Sequence, residues 1–75
     1  MKSFYEFLLI YRGKLSADNQ SKLAEWAFHD HDFPKHSIDY GEISDYLEWN
    51  SPFVSALAVF DELWDLYEVD YLRNQ

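Results

Sequence analysis

Phe4, Phe7, Leu8 and Tyr11 fall at i, i+3, i+4 and i+7, the spacing of one face of a helix. Ser3 stands before them and Glu6 three residues on. That is a capping box, in which the serine accepts from a backbone N–H and the glutamate reaches back. Arg12 and Gly13 make a natural stop, since a cation favours the last turn and glycine tolerates the left-handed cap. A second helix is expected after Asp18 or Ser16, either of which can cap it. Leu23, Trp26 and Ala27 form its inward face. It should end near Asp30, because Pro34 biases Phe33 away from helical angles.

A third helix starts near Ser37 or Asp39. Asp39 and Glu42 form a second capping box, although Gly41 weakens the first turn by up to about 1 kcal/mol relative to alanine. Tyr40, Ile43 and Leu47 make its buried stripe, and Asp45 and Glu48 point elsewhere. The fourth segment carries the strongest pattern: Phe53, Ala56, Leu57, Phe60, Trp64, Tyr67 and Tyr71 recur at spacings of three and four. Asp61, Glu62, Asp65 and Glu68 largely line its other side. With Ser51 as N-cap and Pro52 in the first turn, where its missing N–H costs nothing, a helix of about 20 residues is expected. Strand signals are weak throughout. The pattern predicts one all-α domain over residues 1–75, a compact bundle of four to five short helices with short connections.

Composition explains how so short a chain closes a core. Fifteen of the 75 residues are aromatic, and each buried ring removes roughly 150–250 Å² from water. Cysteine is absent, so disulfides and thiolate metal sites are excluded. No apolar run approaches the roughly 18 residues of a membrane helix, and no signal-peptide pattern opens the chain. The expected location is the cytoplasm, with no membrane association.

The net charge of −8 is uneven. Residues 1–35 balance five acidic against five basic side chains, whereas residues 36–75 hold nine acidic residues and only Arg73. The acidic half repels nucleic-acid phosphates, whose binding depends on lysine and arginine. It serves either as a solvated face that keeps the chain soluble or as a docking surface for a basic partner. The expected state is a monomer, since the acidic helix face disfavours self-association there, with pairing through exposed aromatics elsewhere as the alternative.

Few constellations point to chemistry. His29, Asp30, His31 and Asp32, with His36 and Asp39 nearby, carry metal-ligand types. Their spacing argues against a site, since His29 and His31 on a helix would point about 200° apart. The simpler reading is a polar helix C-terminus. No glycine-rich phosphate loop or nucleophile elbow exists, and the Asp61 and Asp65 pair is expected to be solvated. A non-catalytic protein without a cofactor is therefore expected.

Four blocks of residues carry a family resemblance. They are Ser3-Phe4-Tyr5-Glu6-Phe7 with Tyr11-Arg12-Gly13, the run Ala27-Phe28, Asp30-His31, Phe33-Pro34-Lys35-His36, the run Ile43-Ser44-Asp45-Tyr46-Leu47-Glu48, and Phe60-Asp61-Glu62-Leu63-Trp64-Asp65-Leu66-Tyr67. Together they resemble the YozE-type family of small bacterial proteins, across nearly the whole chain. The resemblance implies a sterile-alpha-motif-like (SAM-like) bundle, cytoplasmic, mostly in Gram-positive bacteria. It supplies no catalytic residues to carry over. SAM-like folds elsewhere serve protein–protein association and sometimes RNA binding, an analogy of fold alone.

The expected function is a protein-interaction module with a protein partner. Tyr5, Phe28, Tyr46 and Trp49 lie off the main stripes, and exposed tryptophan and tyrosine favour interfaces. The candidate surface is the Asp30–Lys35 turn, where Asp30, His31 and Lys35 stand beside Phe33 and Pro34, together with Trp49. The alternative is that Phe33 plugs the core, Pro34 shapes the turn and Asp30 caps a neighbouring backbone. Two other functions are carried as alternatives. One is nucleic-acid binding through Lys2, Arg12, Lys14, Lys22 and Lys35. The other is a metal site at His29, His31 and His36.

Overall fold

In the computed structural model, residues 2–13 and 18–72 are described. Ser3 opens the chain's first helix, α1 (Phe4–Leu8), by accepting from Glu6 N while Glu6 Oε1 accepts from Ser3 N, both at 3.2 Å. A 3₁₀ turn (Leu9–Tyr11) extends it, and Gly13 follows with φ +80°, a left-handed conformation that glycine adopts freely. Asp18 caps α2 (Asn19–His29) by accepting from Ser21 N at 2.7 Å. Ser16, the other expected cap, lies outside the described residues. Asp39 caps α3 (Tyr40–Trp49) by accepting from Glu42 N at 2.8 Å. The return half of that expected box is replaced, because Asp39 N donates to Ser37 Oγ at 3.1 Å.

The last helix begins later than the sequence predicts. It is α4 (Ala56–Tyr67), closed by a π turn (Glu68–Leu72). Ser51 is not an N-cap: its Oγ donates to Phe53 O at 2.7 Å and shapes a turn through Pro52. Ala56 N then donates to Phe53 O at 3.1 Å. This turn folds Phe53 against the core and leaves Val54 in solvent.

Among the described residues there is no strand, and the helices meet around one core. The chain's radius of gyration is 11.5 Å, against about 11 Å expected for a globular chain of this length. Phe4 sits at the centre, with ring centroids of Phe60, Trp64 and Tyr67 at 5.1, 5.6 and 5.6 Å. Leu23, Ala27, Ile43, Leu47, Ala56 and Leu63 complete the interior with no exposed surface. Tyr40, expected in the buried stripe of α3, is 42% exposed. As the first residue of the helix it lies at the rim, stacked on Phe60 at 5.3 Å and donating to Asp61 Oδ1 at 2.6 Å. Two long-range bonds tie the N-terminus down. Phe4 N donates to Ser37 O at 3.2 Å, and the buried Tyr67 hydroxyl donates to Lys2 O at 2.5 Å.

Candidate functional site

The loop from α2 to α3 is anchored by Phe33, as in the alternative in which this residue plugs the core. Phe33 is 3% exposed and packs among Tyr5, Tyr46 and Trp26, with centroids at 5.6, 5.8 and 6.1 Å. It therefore leaves the list of surface candidates and serves as the plug that fixes the loop. Asp30 is also engaged. One carboxylate oxygen accepts from Asp32 N at 3.1 Å, and the other accepts a short bond from the Tyr46 hydroxyl. Burial first, and that bond to Asp30 second, push the Tyr46 phenol up to about 12.

The remaining candidates divide. His31 is exposed, and Lys35 is half-buried with its ammonium 5.7 Å from the Tyr5 ring centre. Pro34 is half-buried and forms one wall of a groove with Asp32. The opposite wall is a single face of α3. Glu42, Asp45, Tyr46 and Trp49 follow one another at i, i+3, i+4 and i+7 and all line the groove, which has a volume of about 400 Å³. The core stripe of the same helix, Ile43 and Leu47, occupies the other side.

Trp49 stands at the end of this face. It is 86% exposed and makes no ring contact with any described residue. An indole left so open is a large apolar surface held in water. Asp32, Glu42 and Asp45 share its groove, and among the described residues none of the three forms an ion pair. A second hollow of about 510 Å³ adjoins it through Asp32, Tyr46 and Asn50, and continues past Trp26, His29 and Asp30. The sequence pointed to Trp49 and Pro34 but missed Glu42 and Asp45. Their shared register with Trp49 was available as a heptad spacing on the non-core side of α3.

Among the described basic side chains of the first half, Lys2, Arg12 and Lys35 each lie against an aromatic ring, and Lys22 is exposed. Arg12 Nε donates to Glu25 Oε1 at 3.0 Å, and its guanidinium lies 3.4 Å from the Phe28 ring centre. The hydrogen bond from Arg12 holds the Glu25 carboxyl below its ordinary range. Lys2 lies 5.1 Å from the Tyr71 ring centre. Lys14 is outside the described residues. His29, His31 and His36 do not converge: among the described residues no three histidine, aspartate or glutamate side chains stand together in a metal-holding group. The arrangement that remains is an open apolar and acidic groove, suited to holding an extended or cationic segment by its side chains.

Comparison with known proteins gives consistent matches. A family model described as "YozE SAM-like fold" matches residues 3–69. The chain is 53% identical over 68 residues to the UPF0346 protein YozE of Bacillus subtilis, covering 91% of this chain and 92% of that protein. It is 42% identical over 74 residues to a UPF0346 protein of Listeria monocytogenes, covering 99% and 96%. A UPF0346 protein of Oceanobacillus iheyensis is 65% identical over 48 residues, 64% of each chain. No solved structure matched the chain.

Proposed function

This chain belongs to the YozE SAM-like family of small bacterial proteins, whose function is not established, and from that premise we propose that it is a non-catalytic protein-interaction module of the cytoplasm. The docking surface is the face of α3 that carries Glu42, Asp45, Tyr46 and Trp49, together with the Asp32–Pro34 wall. One observation carries this reading: Trp49 stands 86% exposed on a helix whose Ile43 and Leu47 are fully buried. Tryptophan is enriched among the residues that dominate binding energy at interfaces. Nucleic-acid binding has less support, because Arg12 is engaged by Glu25 and Phe28 and the groove itself is acidic.

The test is photo-crosslinking in the cells that make the protein, with a benzophenone amino acid at position 49 or, as a control, at exposed position 62. A discrete protein adduct from position 49 and none from position 62 is the expected result. No adduct from position 49, or the same adducts from both, would end the proposal.

A further inference from the structure

The groove beside Trp49 also specifies what its occupant is made of. We infer that it takes an arginine side chain from a basic, extended segment of the partner protein, an inference that rests on the docking role of this face. Three features define the complement. The indole of Trp49 offers an unoccupied aromatic face, which attracts a cation through its quadrupole and a planar cation most of all. Asp32, Glu42 and Asp45 line the same groove with no ion-pair partner among the described residues. Pro34 and the Tyr46 ring supply apolar walls for a methylene stem.

A guanidinium satisfies these together. Its flat face stacks on the indole while its edge donates in a fork to carboxylates. An ammonium is a compact, strongly hydrated point charge and uses only the carboxylates. The chain's own Arg12 shows the same recognition, stacked 3.4 Å from the Phe28 ring centre and hydrogen-bonded to Glu25 through both Nε and Nη2 at 3.0 and 3.5 Å. The occupant is extended for a geometric reason. From Glu42 to Trp49 the helix rises about 10 Å, the length of roughly three residues of extended chain. The charge of the groove and the acidity of residues 36–75 select a basic segment over a nucleic acid.

The experiment is an NMR titration of the full chain, following backbone amides and indole N–H groups, with blocked ten-residue glycine–serine peptides. These carry three arginines, three lysines or three citrullines, and the ionic strength is held fixed. The arginine peptide is expected to shift the Trp49 indole and the Glu42, Asp45 and Asn50 amides saturably. It should bind at least about threefold more tightly than the lysine peptide, with the citrulline peptide not saturating. Trp49→Ala should weaken arginine-peptide binding at least about tenfold, and Glu42→Gln with Asp45→Asn at least about threefold, with unchanged melting temperatures.

Equal binding of the lysine peptide would overturn the inference. So would shifts centred on Asp61, Glu62 and Asp65 that survive Trp49→Ala. Concentration-dependent movement of the Trp49 indole without peptide would assign the groove to a second copy of the chain, and movement with single-stranded RNA alone would assign it to nucleic acid. Either would also overturn it. The crosslinking result keeps the two claims separate: a position-49 adduct with a protein whose captured segment lacks arginine sustains the docking role and refutes this occupant.

Discussion

The Tyr46 hydroxyl on α3 donates to the Asp30 carboxylate at the end of α2. The bond joins helices whose intervening loop carries one wall of the groove, and Tyr46 itself lines that groove. Tyr46→Phe should lower stability by about 1 kcal/mol, the usual loss for a partly solvated hydrogen bond, measured by urea unfolding. The pH dependence follows from the raised phenol, which stands at about 12 in the fold against an ordinary 10. Below pH 10 the phenol is protonated in both states and its contribution is fully present. It is lost as pH rises through 12, where the folded state must ionise as well. Denaturation curves between pH 9 and 12 should therefore fall less steeply for Tyr46→Phe than for the parent chain.

Tyr67 and Lys2 are joined across 65 residues of sequence by a 2.5 Å bond from a buried phenol to a backbone carbonyl. Tyr67→Phe keeps the ring and its packing on Phe4 but strands that carbonyl. A loss of about 1–2 kcal/mol is expected. Amide exchange should rise first in α1, whose N-terminus this bond secures. Uniform exchange across all four helices would show that the link carries no local weight.

The capping serines should behave differently from one another. Ser3→Ala removes one half of a complete capping box and should cost about 1 kcal/mol. Ser55→Ala removes no side-chain cap bond and should lie within about 0.5 kcal/mol of the parent. A large effect at Ser55, read from thermal melts of both variants, would contradict the absence of a side-chain cap bond at that position.

Two tryptophans separate fold from surface. Trp64 is 7% exposed and touches Phe4, Tyr40, Phe60 and Tyr67. Trp64→Ala should cost about 3–5 kcal/mol, a large part of the roughly 4–11 kcal/mol expected for a domain of this size. Trp49→Ala should stay within about 0.5 kcal/mol in the same unfolding experiment.

The helices were legible where a local signal and the core agreed. Ser3, Asp18 and Asp39 cap as their side chains suggest, and the core falls on the spacings of Phe4, Leu23, Ile43 and Phe60. The family resemblance drawn from the sequence is matched by the family model over residues 3–69. The start of α4 was not legible. Ser51-Pro52 is a helix-start signal that serves equally well as a turn, and the choice depends on where Phe53 meets the core. The role of Phe33 was ambiguous for a similar reason, since a lone aromatic in a loop can face either way until its neighbours are placed. The groove was half legible. Trp49 stood out as lying off the core stripe, but Glu42 read as half of a capping box and Asp45 as a residue off the stripe, because acidic residues are common on any solvated helix.

The two faces of α3 answer to separate demands. Ile43 and Leu47 are held by everything around them, whereas Glu42, Asp45 and Trp49 are exposed. Substitutions on the second face leave the interior intact, so a lineage can vary that face while inheriting the fold that presents it. A single ten-residue helix thereby joins a stripe that cannot change to an edge that can.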